Sequence, residues 1–411
     1  MLKFVSSKVT EQATEEVTLF CKRFTVISVF ILLAFSFSSA RAANSADLFK
    51  AEVAVDDQST KQRQLAAASG LMDVLLRLSG SEEVRSNELL QKKSRSALNY
   101  VEQFRYENSV DTDGNKQLQL ALDFSPSSLK SLLAEAQFSF WPVKRPAVLV
   151  WLVEDSAEHG RQIVPADDLE LELAQALQAA ASYRGLPLAF PLLDFQDQTA
   201  LNAEQLWRLD EQAVLDASAR YGNQLILVGK LSLTSDAQVL SSWQFYSPEN
   251  IDSYDFRNAS LRQTMDKAIA PAVQYQLNHY ALSLDSESSL RMQVSAVNTY
   301  SDYRALLSLL NKLDAVTSVQ VVTLQADTLQ LSLQSEADKQ QLAALLALEP
   351  SLKDASLLDD SAGEAGASDS SGASASDSGA WPGADAPIYP GPGLQLPAAN
   401  NPSSLSYIWQ P

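Results

Sequence analysis

The chain has 411 residues, 46% of them hydrophobic and 20% charged, a globular composition with more chain than one ordinary core holds. Its formal net charge of -19 opposes binding to nucleic-acid backbones and anionic lipid surfaces. No basic patch offsets that charge. The densest cluster after the leader (Lys92, Lys93, Arg95) reads as one solvated helix face.

From the N-terminus, Lys22-Arg23 precedes a short apolar run, Phe24 to Phe37, and then Ala40-Arg41-Ala42 as an A-x-A site. Residues 1–42 are therefore expected to be a secretory signal peptide cleaved after Ala42, which places the protein in the periplasm with no stable membrane span. Glu11, Glu15 and Glu16 make the leader atypical, and an uncleaved anchor is the competing reading. The single Cys, Cys21, lies upstream of the cleavage point. The mature chain then has no thiol for a disulfide, a nucleophile or a zinc–cysteine site.

Residues 43–140 are predicted to form a small α+β domain. Phe49 to Val55 alternates as a strand, and Ser59 with Gln62 reads as a capping box for a helix ending at Leu78-Ser79-Gly80. A second helix is predicted over Asn87 to Asn99. Two strands flank Asp113-Gly114, which reads as a hairpin turn, because the calcium-loop spacing around it places Leu122 where a Glu ligand belongs. Ser125-Pro126 opens a last helix. Trp141-Pro142 and Arg145-Pro146 read as a linker.

Residues 146–283 carry the α/β pattern of strand, helix, strand, helix, strand. Ala147 to Val153 and Leu225 to Val228 are apolar without alternation, as strands covered on both faces are. A mostly parallel sheet is expected. A long helix, Asn258 to Leu282, closes the unit, with Pro271 expected to kink or split it. Residues 288–355 read as β-α-β-β-α, one strand short of a ferredoxin-like fold. Residues 359–402 are acidic and Ser-rich, then Pro/Gly-rich, and are expected to be a disordered linker. In 403–411, Leu405, Tyr407 and Trp409 alternate like a strand, expected to return beside Leu290 to Val294.

No phosphate-binding glycine loop, nucleophile elbow or metal motif is present, so no cofactor and no metal are expected. The chain has two His, His159 and His279. His159 lies in a loop after a strand, where α/β sheets bind ligands, and is the better catalytic candidate; a solvated loop His is the commoner outcome. Asp155, Asp194 and Asp197 follow strands and are the carboxylate candidates, each weighed against a solvated acidic surface. Of the six Trp, Trp151 and Trp243 read as core. Trp381, inside the linker, is the candidate partner-binding residue.

Arg63 with Leu78-Ser79-Gly80, the Ala217-to-Gly229 unit, Tyr303 and Tyr407-x-Trp409 resemble the uncharacterised proteobacterial envelope proteins grouped as domain-of-unknown-function family 2066. The resemblance covers most of the mature chain outside the linker, implies export and brings no known active site. The domain order also resembles, in topology alone, periplasmic assembly factors of the flagellar and curli machineries. The expectation is an exported, non-enzymatic protein that binds or helps assemble other envelope components. The alternative is a periplasmic hydrolase using carboxylates or His159.

Overall fold

The computed structural model describes residues 48–110, 116–157, 160–165, 167–168, 171–233, 238–258, 260–285, 287–355 and 404–411. The expected signal peptide, the Asp113-Gly114 turn, His159, and the 359–402 linker with Trp381 lie outside the described residues.

The first segment is β1 (Lys50–Val55), α1 (Thr60–Ser79), α2 (Glu88–Ser94), β2 (Val101–Val110), β3 (Lys116–Phe124) and α3 (Pro126–Glu135). Its antiparallel sheet has the order β1-β3-β2. Ser59 caps α1 by accepting from the Gln62 N–H, but the Gln62 side chain turns to Asp56, so the reciprocal half of the expected box is replaced. The helix predicted to Asn99 stops at Ser94 and continues after a break as a 3₁₀ turn, Ala97–Tyr100.

The central segment is β4 (Val148–Ser156), β5 (Gly160–Val164), α4 (Glu172–Arg184), β6 (Leu188–Ala189), α5 (Phe195–Ala200), α6 (Ala203–Trp207), α7 (Glu211–Ser218), β7 (Leu225–Leu233), β8 (Val239–Tyr246), β9 (Ile251–Asn258) and α8 (Leu261–Tyr280). The sheet order is β5-β4-β7-β8-β9, with β6 beside β4. β4 runs parallel to β6 and β7, whereas β5, β8 and β9 join by antiparallel pairing. The sheet is thus mixed rather than mostly parallel, because short hairpins β4–β5, β7–β8 and β8–β9 extend a small parallel centre. The unbroken apolar run of β7 has the predicted cause: Leu225 and Leu227 enter the core on one face, Ile226 and Val228 the core on the other. α8 runs unbroken through Pro271 rather than splitting.

The third segment is β10 (Ser288–Ser295), α9 (Tyr300–Leu310), β11 (Val316–Gln325), β12 (Thr328–Ser335), α10 (Lys339–Leu346), β13 (Leu352–Asp354) and β14 (Ser404–Trp409). The sheet order is β11-β12-β10-β14-β13. β14 lies beside β10, with Met292 opposite Leu405 and Val294 opposite Tyr407. It runs parallel to β10. A ferredoxin-like fourth strand follows a crossover helix and therefore runs antiparallel to the first strand. That direction belongs to β13, a three-residue strand that the sequence pattern did not show. β14 is wedged between β13 and β10, antiparallel to the former.

The first and third segments share one hydrophobic core. It runs from Leu71, Leu75, Leu122 and Leu133 to Met292, Leu306, Leu331, Leu405, Tyr407 and Trp409. The chain is α+β and α/β, with the α/β sheet carrying two cores of its own, one on each face.

Candidate docking site

The carboxylate candidates fall at opposite ends of the central sheet. Asp155 sits at the carboxyl end of β4, paired in register with Arg161 of β5. The Arg161 guanidinium holds Asp155 at 3.2 Å and Glu204 at 2.8 Å, and lies 4.6 Å from the Trp207 ring centroid. Lys230 of β7 lies over the same ring, at 5.7 Å. The hydrogen bond from Arg161, and then that from Arg208, holds the Glu204 carboxyl below its ordinary range. This is the sheet end where α/β proteins bind ligands. Its acids and bases are matched against one another.

Asp194 lies at the other end, between β6 and α5, and what surrounds it is more unusual. It caps α5 by accepting from the Asp197 N–H at 3.0 Å. Arg220, in the turn after α7, grips it with both terminal nitrogens, at 2.8 and 3.0 Å. The same guanidinium reaches Asp197 at 2.9 Å. Asp197 is 1% exposed, and its second oxygen accepts from the Tyr221 hydroxyl at 2.5 Å and from the Leu193 N–H at 2.9 Å. The Tyr221 oxygen in turn accepts from the Leu192 N–H at 2.9 Å. The Arg220 hydrogen bond pulls the Asp194 carboxyl down to about 2. Burial, and then the bond to Asp197, pushes the Tyr221 phenol up to about 12. Both groups are fixed in one protonation state across the neutral range.

Those bonds hold a short loop in a conformation it would not choose. Leu193 has φ 50°, a left-handed backbone that costs a branched side chain about 1–2 kcal/mol. Leu193 turns inward and packs on the core beneath the sheet. Its neighbours turn outward: Leu192 is 66% exposed and Phe195 85% exposed. Two large apolar side chains are thus presented to solvent by a backbone tied down on both sides. Asp194 and Asp197 were the sequence candidates here, and the structure brings them together on Arg220, where both tie down the loop. Leu192, Phe195, Arg220 and Tyr221 were not singled out, although PLLDF, apolar residues in a turn between two elements, is a readable signal of exposed apolar surface.

His279 stacks on Tyr275, with ring centroids 4.0 Å apart, and pairs with Glu249 at 2.8 Å. Among the described residues, no three His, Cys, Asp or Glu side chains gather as a metal site, and no helix is long and apolar enough to cross a membrane.

A family model described as a domain of unknown function (DUF8605) matches residues 42–142, which spans Arg63 and Leu78-Ser79-Gly80. It is not the family 2066 that those residues resemble. No curated protein matches the chain.

Proposed function

We propose that the protein is exported to the periplasm and works without catalysis, binding or helping to assemble other components of the cell envelope through the Leu192–Phe195 loop. The observation that carries this reading is the exposure of Leu192 and Phe195 on a loop fixed by Arg220, Asp194, Asp197 and Tyr221. Large apolar side chains held rigidly in solvent give up little conformational entropy on binding, which is what interface hot spots need. The partner is a protein with an apolar cleft. The net charge of -19 argues against an anionic lipid surface or a nucleic acid in that role. Export rests on the pattern of residues 22–42. The alternative is a periplasmic hydrolase using carboxylates or His159; Asp155 and Asp194 each pair with an arginine, and His159 lies outside the described residues.

The test places a photo-crosslinking residue at Phe195 in cells. A discrete adduct with an envelope protein is expected, absent when the crosslinker stands at Tyr300, an exposed ring far along the chain. The double change Leu192→Ser and Phe195→Ser should abolish co-purification of that protein without lowering thermal stability. Undiminished co-purification by the folded double variant would overturn the reading.

A further inference from the structure

β14 is the one strand of the third sheet whose place the chain order does not dictate. Without it, β13 would stand beside β10 in the direction that the crossover helix α10 gives it. With it, β10 and β13 become the walls of a slot one strand wide. Leu405, Tyr407 and Trp409 fill that slot with 6%, 3% and 4% exposure, against Met292, Val294 and Leu352. Both walls pair with the strand: β10 in parallel register from Arg291–Ser404 to Ser295–Ile408, and the β13 side in antiparallel register, where the Ala355 N–H donates to the Ser406 carbonyl at 3.0 Å and the Gln410 N–H to the Ser351 carbonyl at 2.9 Å. The slot is therefore specific for an extended, uncharged segment with an aliphatic and two aromatic residues at alternate positions.

The chain that leads to β14 is far longer than the fold needs. Ala355 and Ser406 are hydrogen-bonded neighbours on antiparallel strands, a geometry that a hairpin loop of two to about five residues closes. The chain instead places residues 356–403, 48 in all, between the two strands. Fully extended, that many residues span up to roughly 160 Å. A tether of this length lets the strand occupy a slot on another molecule, with every contact of the closed form reproduced there.

We infer that the slot between β10 and β13 accepts the β14 strand of a second copy of this chain, so that two molecules associate by exchanging their C-terminal strands. The inference is independent of the proposed docking loop, which lies on the central sheet.

Gln293 and Ser406 are paired across β10 and β14, and Gln293 is exposed. In a C21S background, one population carries Gln293→Cys and another carries Ser406→Cys. Neighbouring strands bring the two positions within disulfide reach. Mixing and mild oxidation should yield a disulfide heterodimer whose amount rises with protein concentration, at least tenfold above that from Gln293→Cys mixed with Ser253→Cys, which lies on β9. Adding Tyr407→Ser and Trp409→Ser to the Ser406→Cys population removes the rings that fill the slot and should reduce the heterodimer to the control level. Native mass spectrometry on unlabelled and isotope-labelled wild-type chains should show mixed dimers in the same concentration range. A heterodimer yield equal to the Ser253→Cys control, with both variants as thermally stable as the parent, overturns the inference. So does a yield unaffected by the Tyr407→Ser and Trp409→Ser changes, because the contact would then not involve a strand seated in the slot.

Discussion

The Arg145 guanidinium lies over Trp141, its carbon 3.8 Å from the ring centroid. Both residues are buried, and among the described residues no carboxylate lies within ion-pair distance of the arginine. Its nitrogens donate to four carbonyls: Pro142 at 2.8 Å, Trp141 at 2.9 Å, Gly185 at 2.6 Å and Arg77 at 3.2 Å. Gly185 terminates α4 and Arg77 lies in the last turn of α1, so one side chain satisfies the negative ends of two helices from different segments. Gly185 has φ 73°, and a Cβ there would stand 2.5 Å from the Arg145 guanidinium, so that crossing requires glycine.

Replacing Arg145 by Met is therefore expected to strand several buried carbonyls at once. The cost should be on the order of 4 kcal/mol, and Arg145→Lys should recover less than half of it, since one ammonium cannot reach four acceptors in a fork. Urea unfolding midpoints of the three proteins check this. Burial, and then the nearby Arg77 charge, push the Arg145 guanidinium down to about 9, so it stays charged at neutral pH.

Asp197→Ala is expected to release the 192–195 loop. It removes a buried acceptor serving Arg220, Tyr221 and Leu193, at a cost of about 3 kcal/mol. Amide exchange at Leu192 and Leu193 should accelerate at least tenfold, and by more than that of the β7 amides. Tyr221→Phe should show a smaller effect of the same kind, concentrated at Leu192.

The same network sets a pH window. Asp194 is held at about 2 against an ordinary 3.8, so its contribution is fully present above pH 3.8 and is lost as pH falls through 2. Tyr221 is raised from 10.0 to about 12, so its contribution is fully present below pH 10.0 and is lost as pH rises through 12. Loop protection measured across that range should be flat between the two limits and fall outside them. Arg220→Gln should move the acid limit up toward 3.8. An unshifted acid limit in that variant would show that Arg220 does not hold the carboxylate.

Gly229 tests how closely the central sheet is packed. It pairs with Trp243 across β7 and β8, and a Cβ added to it would lie 2.3 Å from the indole. Gly229→Ala should destabilise by about 2–3 kcal/mol through overpacking. Adding Trp243→Leu should make the alanine nearly neutral, a coupling that a double-mutant cycle measures directly.

What the sequence made legible follows from local physics. The apolar run Leu225 to Val228 needs two covered faces wherever it sits, and Leu405, Tyr407 and Trp409 need burial at the period of a strand. What it hid depends on partners far along the chain. Arg145 beside Pro146 looks like linker, because its four acceptors come from three separate stretches. Asp194 looks like a free carboxylate, because Arg220 is brought to it only by the sheet. The direction of β14 was hidden because alternation is the same read either way, and three-residue β13 is too short to carry a pattern.

The shared core changes what loss of the C-terminal strand should do. Residue spacing alone would confine the damage to the ferredoxin-like segment. Leu405, Tyr407 and Trp409, however, belong to the same cluster as Leu122, Leu129 and Leu133. Polar links run along the boundary: Lys130 reaches the Asp314 carbonyl at 2.9 Å and Glu336 at 2.7 Å, the Val143 N–H donates to Asp314 at 2.8 Å, and Lys144 pairs with Glu349 at 2.8 Å. Deleting residues 403–411 empties the slot beside β10 and removes three large side chains from that cluster, each worth about 3–5 kcal/mol when truncated in a core. Amide protection is therefore expected to fall in β10 and β12, and also in α3 and the adjoining end of β3. Protection in β4 and β7, whose cores are separate, should hold. Hydrogen exchange read residue by residue decides between the two outcomes. Loss confined to residues 288–355 would mean that the boundary between the first and third segments carries little energy, and that the two fold independently.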